Sequence, residues 1–200
     1  MIEEYIGVRN NIYECNVRRS KFIGICMPIR DNIKLLIKEI KAKYKDATHV
    51  CYAYRLIDNN SSSVVENCSD DQEPNGTAGL PMLNVLKSFD VNNSIIFVVR
   101  YYGGVKLGVA GLIEAYKNTA INCIKDSIVK YKKCNIYNAT INYNQLANLQ
   151  KNKLIKILEC KYNDIIDCQF VCSESTIKEY RDISYKNIGE CFVEVNNENN

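Results

Sequence analysis

Three carboxylates lie within four residues of one another at the start of the glycine-rich stretch 69–120. They are Asp70, Asp71 and Glu73. Such a cluster can hold a divalent cation or supply an acid and a base. It can equally stabilise the N-terminus of a helix that follows it, which is the commoner role. The cluster is therefore a candidate acidic site, and its position favours helix stabilisation over catalysis.

Two glycine-rich loops each lead into a predicted helix. The first loop spans residues 76–79 and the second spans residues 103–108, and an apolar run at 94–100 between them predicts a buried strand. Backbone N–H groups at a helix N-terminus are unpaired and attract anions. Arg100 could add a bidentate fork and Lys106 an ammonium group. The alternative is that the glycines serve only backbone angles and close packing.

The candidate site for an anion, RNA or a protein partner combines both loops with the side chains beside them. Thr77 is the predicted N-cap of the first helix. Tyr101 and Tyr102 could stack on bases or anchor a protein, although tyrosine is also an ordinary strand residue. The full set is Gly76, Thr77, Gly79, Arg100, Tyr101, Tyr102, Gly103, Gly104, Lys106, Gly108 and Gly111. No G-x-x-x-x-G-K-[ST] motif occurs, so nucleotide hydrolysis has no support, and we predict no catalytic residue.

His49 and Arg55 are the remaining candidates. A thiol dyad of His49 with Cys51 is unfavourable, because alternate residues on one face of a strand lie about 7 Å apart. We expect instead a histidine at the end of a strand that bonds to backbone. Arg55 could contribute to a surface that binds bases or a partner.

Composition points to a cytoplasmic protein that binds no metal and no cofactor. The ten cysteines form no C-x-x-C pair, and no secretory signal precedes them, so we expect reduced thiols. No apolar run approaches the ~20 residues that a membrane helix needs. The net charge of +3 is small, but the first 134 residues carry all of the positive excess, which places any polyanion contact there.

The patterns predict an α+β protein of two domains. In the first domain, residues 1–134, strands at 12–18, 21–29, 50–57 and 64–68 join the buried run, with helices at 31–44 and after each glycine loop and a last strand near 127–133. In the second, residues 135–195, strands at 136–143, 155–162, 165–172 and 190–195 alternate with helices at 144–154 and 173–183. This βαββαβ order is the ferredoxin-like arrangement. Residues 58–63 read as a polar turn, and residues 196–200 as a disordered tail.

Four blocks of sequence resemble the IMPACT/YigZ family. QEPNGTAGLPML and VVRYYGGVKLGVAGLIEAY are similar to its two longest motifs, RSKFIG to an earlier one, and HVCYAYR to its H-x-C-x-A-Y-R strand. The blocks occur in the family's order over about two-thirds of the chain. Gln72 stands where the family has glycine, Val109 and Ala110 where it has Thr-Gly, and Glu114 where it tends to have a basic residue.

The resemblance implies a fold and a function. The first domain would resemble the translation-factor/small-kinase superfold, the ribosomal-protein-like βαβ domain with a left-handed crossover, and the second the last domain of elongation factor G. The function implied is a non-enzymatic role in translation regulation, with RNA, the ribosome or a translation-associated protein as partner. The alternative is a hydrolase or small-molecule phosphate-binding enzyme that uses the same loops with the acidic cluster.

Overall fold

Strands and helices alternate along the chain in an α+β arrangement, as predicted. The structure is a computed structural model that describes residues 3–30, 32–58 and 63–195, so the predicted tail at 196–200 and most of the predicted turn lie outside the described residues. The elements are β1 (Glu4–Val8), β2 (Asn11–Val17), β3 (Ser20–Pro28), α1 (Ile33–Lys43), β4 (His49–Ile57), β5 (Val64–Ser69), α2 (Gly79–Ser88), β6 (Ser94–Tyr101), α3 (Gly108–Lys125), β7 (Ile128–Ile141), α4 (Tyr143–Lys151), β8 (Lys156–Tyr162), β9 (Ile166–Cys172), α5 (Glu174–Ile177) and β10 (Tyr185–Val195).

The chain divides into two units, one formed by Tyr5–Lys130 and the other mainly by residues 131–195. The sheet of the first unit has the order β2-β3-β6-β4-β5, and all its neighbouring strands are antiparallel. The buried run that the sequence predicted is its central strand β6, whose residues from Ser94 to Arg100 are all buried. A continuous apolar strand suits this position because helices cover both faces of the sheet.

Alternate residues of β6 belong to two different cores. Ile96 and Val98 pack with α2 and α3, whereas Ile95, Phe97 and Val99 pack with α1. The helices α1 and α2 therefore cover opposite faces. Because β3 and β4 are both antiparallel to β6, and β5 and β6 both to β4, each helix connects two parallel strands with one strand between them. A rotation of the sheet by 180° in its own plane superimposes the strand paths of the two connections. Their helices still lie on opposite faces, so the two crossovers have opposite handedness. One of them is therefore left-handed, against the usual rule.

The second unit has the predicted element order βαββαβ, with the sheet order β10-β7-β9-β8, and β1 also pairs with β7. Two predicted details are wrong, and one strand is additional to the prediction. The strands expected near 127–133 and at 136–143 are one strand, β7, in which the same alternation of buried and exposed residues lies on both sides of a half-buried segment, 133–136. The helix expected at 173–183 ends at Ile177. Strand β1 was not predicted.

Among the described residues, no helix is long and apolar enough to cross a bilayer.

Candidate functional site

Asp70 caps helix α2. Its carboxylate accepts hydrogen bonds from the backbone N–H groups of Gly76 (2.8 Å), Ala78 (2.9 Å) and Gly79 (2.8 Å). The predicted cap was Thr77, and this is wrong, because its hydroxyl instead donates to the carbonyl of Pro74 at 2.6 Å. A carboxylate of the chain itself therefore occupies the anion position that the first glycine loop offers. A Cβ on Gly79 would lie 2.8 Å from the backbone nitrogen of Ser69, so close packing explains this glycine.

Asp71 joins the acidic segment to helix α1 and strand β4. One carboxylate oxygen accepts from Lys41 Nζ, and the other accepts from the N–H of Val50 at 2.7 Å. Partial burial raises the pKa of the Asp71 carboxyl, but the bonds from Lys41 and Val50 outweigh it and hold the pKa below its usual value. Asp71 therefore fixes one end of strand β4.

Glu73 forms a buried ion pair with Arg100. Arg100 Nη1 donates to Glu73 Oε1 at 2.6 Å, and the two residues are only 5% and 7% exposed. The hydroxyl of Tyr116 donates to the same oxygen at 2.8 Å. The guanidinium carbon also lies 5.5 Å from the ring centre of Phe22 and 5.4 Å from that of Tyr102. Arg100 was predicted as a phosphate ligand, but it is committed to a carboxylate inside the domain and is not free to bind one.

His49 and Cys51 do not form a dyad. His49 Nδ1 lies 2.8 Å from the carbonyl oxygen of Asp71, which matches the predicted bond to backbone, and its Nε2 lies 3.8 Å from Glu73 Oε1. The thiol of Cys51 donates to the carbonyl of Asp70 at 3.0 Å. Burial is the main cause that raises the pKa of Cys51 to about 12, so this thiol is a poor nucleophile.

The three carboxylates of the acidic cluster therefore point to three different partners. Asp70 bonds to a helix N-terminus, Asp71 to a lysine and a strand, and Glu73 to a buried arginine. Within residues 3–30, 32–58 and 63–195, no group of three or more acidic, histidine or cysteine side chains could hold a metal ion. The arrangement stabilises the loop between β5 and α2.

Two further candidates contact residues of their own unit. Arg55 Nε donates to Glu66 at 3.1 Å, and its Nη1 donates to Asp90 and to the carbonyl of Val91, each at 3.3 Å. Arg55 is therefore held by acidic neighbours, which makes it a poor ligand for an anionic partner. The hydroxyl of Tyr101 donates to Asp46 at 3.2 Å.

The second glycine loop is different, because its helix N-terminus has no carboxylate. Helix α3 begins at Gly108 after Leu107, with no side-chain cap and no acidic residue in its first turn. Gly104 and Gly108 have φ of 82° and 73°, the left-handed region that favours glycine. Gly104, Lys106 and Gly108 are exposed. The N–H groups at the start of α3 have the positive partial charge expected of any helix N-terminus, and no acidic residue in its first turn offsets it.

The turn between β2 and β3 lies against this loop. Arg18 and Arg19 form the two-residue turn, with φ of 42° and 70°. A Cβ on Gly103 would lie 1.9 Å from the carbonyl oxygen of Arg19, so only glycine allows the two backbones this contact. Lys21 and Tyr101 are also register partners on β3 and β6. The turn and the loop thus meet at one end of the sheet.

These residues form a surface with positive charge and an aromatic ring. We define the basic loop surface as Arg18, Arg19, Tyr102, Gly104 and Lys106, together with the first turn of α3. Arg18, Arg19 and Lys106 are exposed and make no hydrogen bond or ion pair with any described residue, and Tyr102 is 44% exposed. Sequence reasoning missed the two arginines. The signal was an Arg-Arg pair between two strand patterns, which indicates an exposed hairpin turn.

Comparisons with known proteins give one consistent family. The sequence profile of the Impact N-terminal domain matches residues 18–124. The IMPACT family member YvyE of Bacillus subtilis is 30% identical over 87% of this chain and 75% of its own length. An IMPACT family member of Haemophilus influenzae is 28% identical over 92% of both chains, and YigZ of Escherichia coli is 32% identical over 67% of both.

A solved structure supports the fold. The crystal structure of a hypothetical protein superposes with a TM-score of 0.61 over 94% of this chain and 98% of that one, at 23% identity. The residues that match the family profile include the capped first loop, the buried ion pair and the basic loop surface. The chain belongs to the IMPACT family.

Proposed function

We propose that this protein binds RNA phosphates through the basic loop surface, in a non-enzymatic role associated with translation. The observation that carries the proposal is the contact between the Arg18-Arg19 turn and the second glycine loop. It places two arginines, Lys106 and the uncapped start of α3 at one end of a sheet. Exposed cations together with unpaired backbone N–H groups suit phosphate, which accepts from both.

Tyr102 extends the surface from phosphate to nucleobases. Its ring lies beside the guanidinium of buried Arg100, and its backbone N–H donates to the Thr48 hydroxyl at 2.9 Å. These two contacts hold the backbone and the ring of Tyr102 in place. Exposed aromatic rings beside cationic side chains are typical of proteins that bind single-stranded nucleic acid. Only the second glycine loop takes part in this proposal, because Asp70 occupies the first.

The link to translation rests on the resemblance of the chain to its family and on the architecture. The sheet order of the second unit, read as fourth, first, third and second strand of βαββαβ, supports a ferredoxin-like domain resembling the last domain of elongation factor G. The left-handed crossover supports the translation-factor superfold for the first unit. Both assignments and a cytoplasmic location are part of the proposal. Fold alone does not fix function, so the experiment addresses the surface.

The enzymatic alternative draws no support from the acidic cluster. A hydrolase that used Asp70, Asp71 and Glu73 would bring their carboxylates to one substrate, whereas each of them bonds to a different part of the domain. A protein partner in place of RNA would use the same exposed side chains. Binding that survives ribonuclease treatment would identify that outcome.

Ribosome co-sedimentation tests the proposal. We expect the unmodified protein to sediment with ribosomes at low salt, and less so at moderate salt, because phosphate contacts release counterions. Lys106→Glu should reduce the fraction that sediments at low salt, because it removes one phosphate contact. Lys38→Glu is the matched control, since Lys38 is exposed on α1, which packs on the other face of the sheet. Protein that remains in the supernatant at both salt concentrations would contradict the proposal.

A further inference from the structure

We infer that Cys160 and Cys168 form a peroxide-responsive thiol pair that oxidises to an intramolecular disulfide. Cys160 lies on β8 and Cys168 on β9, and the two residues are direct partners in the antiparallel register. Their sulfur atoms are 3.3 Å apart. This pair is in the second unit and is independent of the proposed RNA surface.

Backbone geometry allows the bond without movement of the strands. Directly opposed residues of an antiparallel pair have Cα atoms about 4.5 or 5.5 Å apart. Both values fall within the range of about 4.4 to 6.8 Å that disulfides span. The sulfur atoms already touch, so closure needs only small side-chain rotations. The hairpin connects the two strands through residues 163–165, which keeps the thiols together before oxidation.

The two thiols differ in ways that assign their roles. Cys160 is half-buried on a strand whose other residues are mostly exposed, so a small oxidant can reach it. Cys168 is fully buried, and burial together with the neighbouring Cys160 raises its pKa to about 12. Cys160 is therefore the thiol that meets peroxide, and Cys168 is the resolving thiol.

The reaction balances with hydrogen peroxide as the oxidant. The Cys160 thiolate attacks one peroxide oxygen, the O–O bond breaks, and Cys160 becomes a sulfenic acid while hydroxide leaves and takes up a proton as water. The Cys168 sulfur then attacks the Cys160 sulfur, and the S–O bond breaks. The departing oxygen leaves as water with the proton of Cys168. Two thiols lose two electrons in total, and peroxide is reduced to two molecules of water.

Peptide mass spectrometry of the full chain tests the pair directly. The protein is treated with a small excess of hydrogen peroxide, the remaining thiols are alkylated, and trypsin digestion follows without reductant. Trypsin cuts after Lys156, Lys161 and Lys178, so the disulfide should join peptide 157–161 to peptide 162–178, with Cys172 alkylated. The joined peptides should separate when dithiothreitol is added before digestion.

Variants separate the pair from general thiol oxidation. In Cys168→Ser, Cys160 should stop at the sulfenic acid, which dimedone traps. In Cys160→Ser, Cys168 should be recovered alkylated after unfolding. Cys68→Ser is the matched control, because Cys68 is also half-buried but has no thiol partner among the described residues, and the joined peptides should form as before. Recovery of Cys160 in alkylated form at a dose that oxidises Cys68, or linkage of Cys160 to Cys172, would overturn the proposal.

Discussion

The carbonyl oxygen of Arg19 and the Cα of Gly103 are in such close contact that a Cβ on residue 103 would lie 1.9 Å from that oxygen. This contact joins the β2–β3 turn to the second glycine loop. It explains why an arginine pair and a lysine that are distant in sequence lie at the same end of one sheet. The basic loop surface is therefore a consequence of backbone packing in the free protein.

Gly103→Ala should destabilise the protein by about 1–3 kcal/mol, because the new methyl group forces the turn and the loop apart. Urea unfolding measures the free energy of unfolding. Gly104→Ala is the matched control, since a Cβ there meets nothing within 4 Å and only the φ of 82° opposes it. We expect the smaller loss at Gly104. A larger loss there would contradict the close contact.

Glu73→Gln should lower the free energy of unfolding by about 3–5 kcal/mol, because it leaves the buried Arg100 guanidinium without a counter-charge. The double variant Glu73→Gln with Arg100→Met removes both charges. It should be more stable than the single variant, and a double-mutant cycle in urea measures the coupling. If the loss of unfolding free energy in the double variant equals the sum of the losses in the two single variants, the two side chains do not interact.

Asp70→Ala should cost about 2 kcal/mol or more, because three backbone N–H groups of the first glycine loop and the start of α2 lose their acceptor. Thr77→Val should cost less, about 0.5–1.5 kcal/mol, because the Thr77 hydroxyl bonds to one carbonyl. Thermal unfolding of both variants tests which residue caps the helix. A larger effect at Thr77 would show that Thr77, the residue predicted from the sequence, is the cap.

Asp71 should make stability depend on pH in the acid range. Its pKa is lower in the folded protein than in the unfolded chain, so the stabilisation is present above the unfolded value of about 3.9 and is lost as pH falls through the folded value. Asp71→Asn removes this contribution. The difference in free energy of unfolding between the unmodified protein and the variant should therefore be larger at about pH 6 than at about pH 3. A difference that does not change with pH would contradict the role of the carboxylate.

The sequence predicted much of the first unit because its signals are local. The apolar run before Arg100 matches the central strand, and the glycine loops precede α2 and α3. Of the acidic cluster, Asp70 alone has the predicted role at a helix N-terminus, and spacing alone could not show which of the three carboxylates is the cap. The family has glycine at the position of Gln72. Backbone geometry explains this preference, because Gln72 has a φ of 71°, in the left-handed region that favours glycine.

Features that depend on distant parts of the chain could not be predicted. The sequence predicts Arg100 as a phosphate ligand near the end of a strand, yet its partner Glu73 is 27 residues away and reaches it only when β6 and the acidic segment pack together. The role of Arg18 and Arg19 depends on a contact with Gly103 across the sheet. The sequence predicts two strands separated by a polar segment where the structure has the single strand β7. Local polarity is misleading here because burial on a sheet face is set by neighbouring strands.

Fluorescence anisotropy with a labelled single-stranded RNA tests the central claim most directly. Titrations at several salt concentrations would compare the unmodified protein with Arg19→Glu, Lys106→Glu and the control Lys38→Glu, after circular dichroism has shown that each is folded. We predict that Arg19→Glu and Lys106→Glu weaken binding and reduce the salt dependence, each by about one phosphate contact, while Lys38→Glu changes neither. Equal affinity of all four proteins at every salt concentration would contradict the assignment of RNA binding to the basic loop surface.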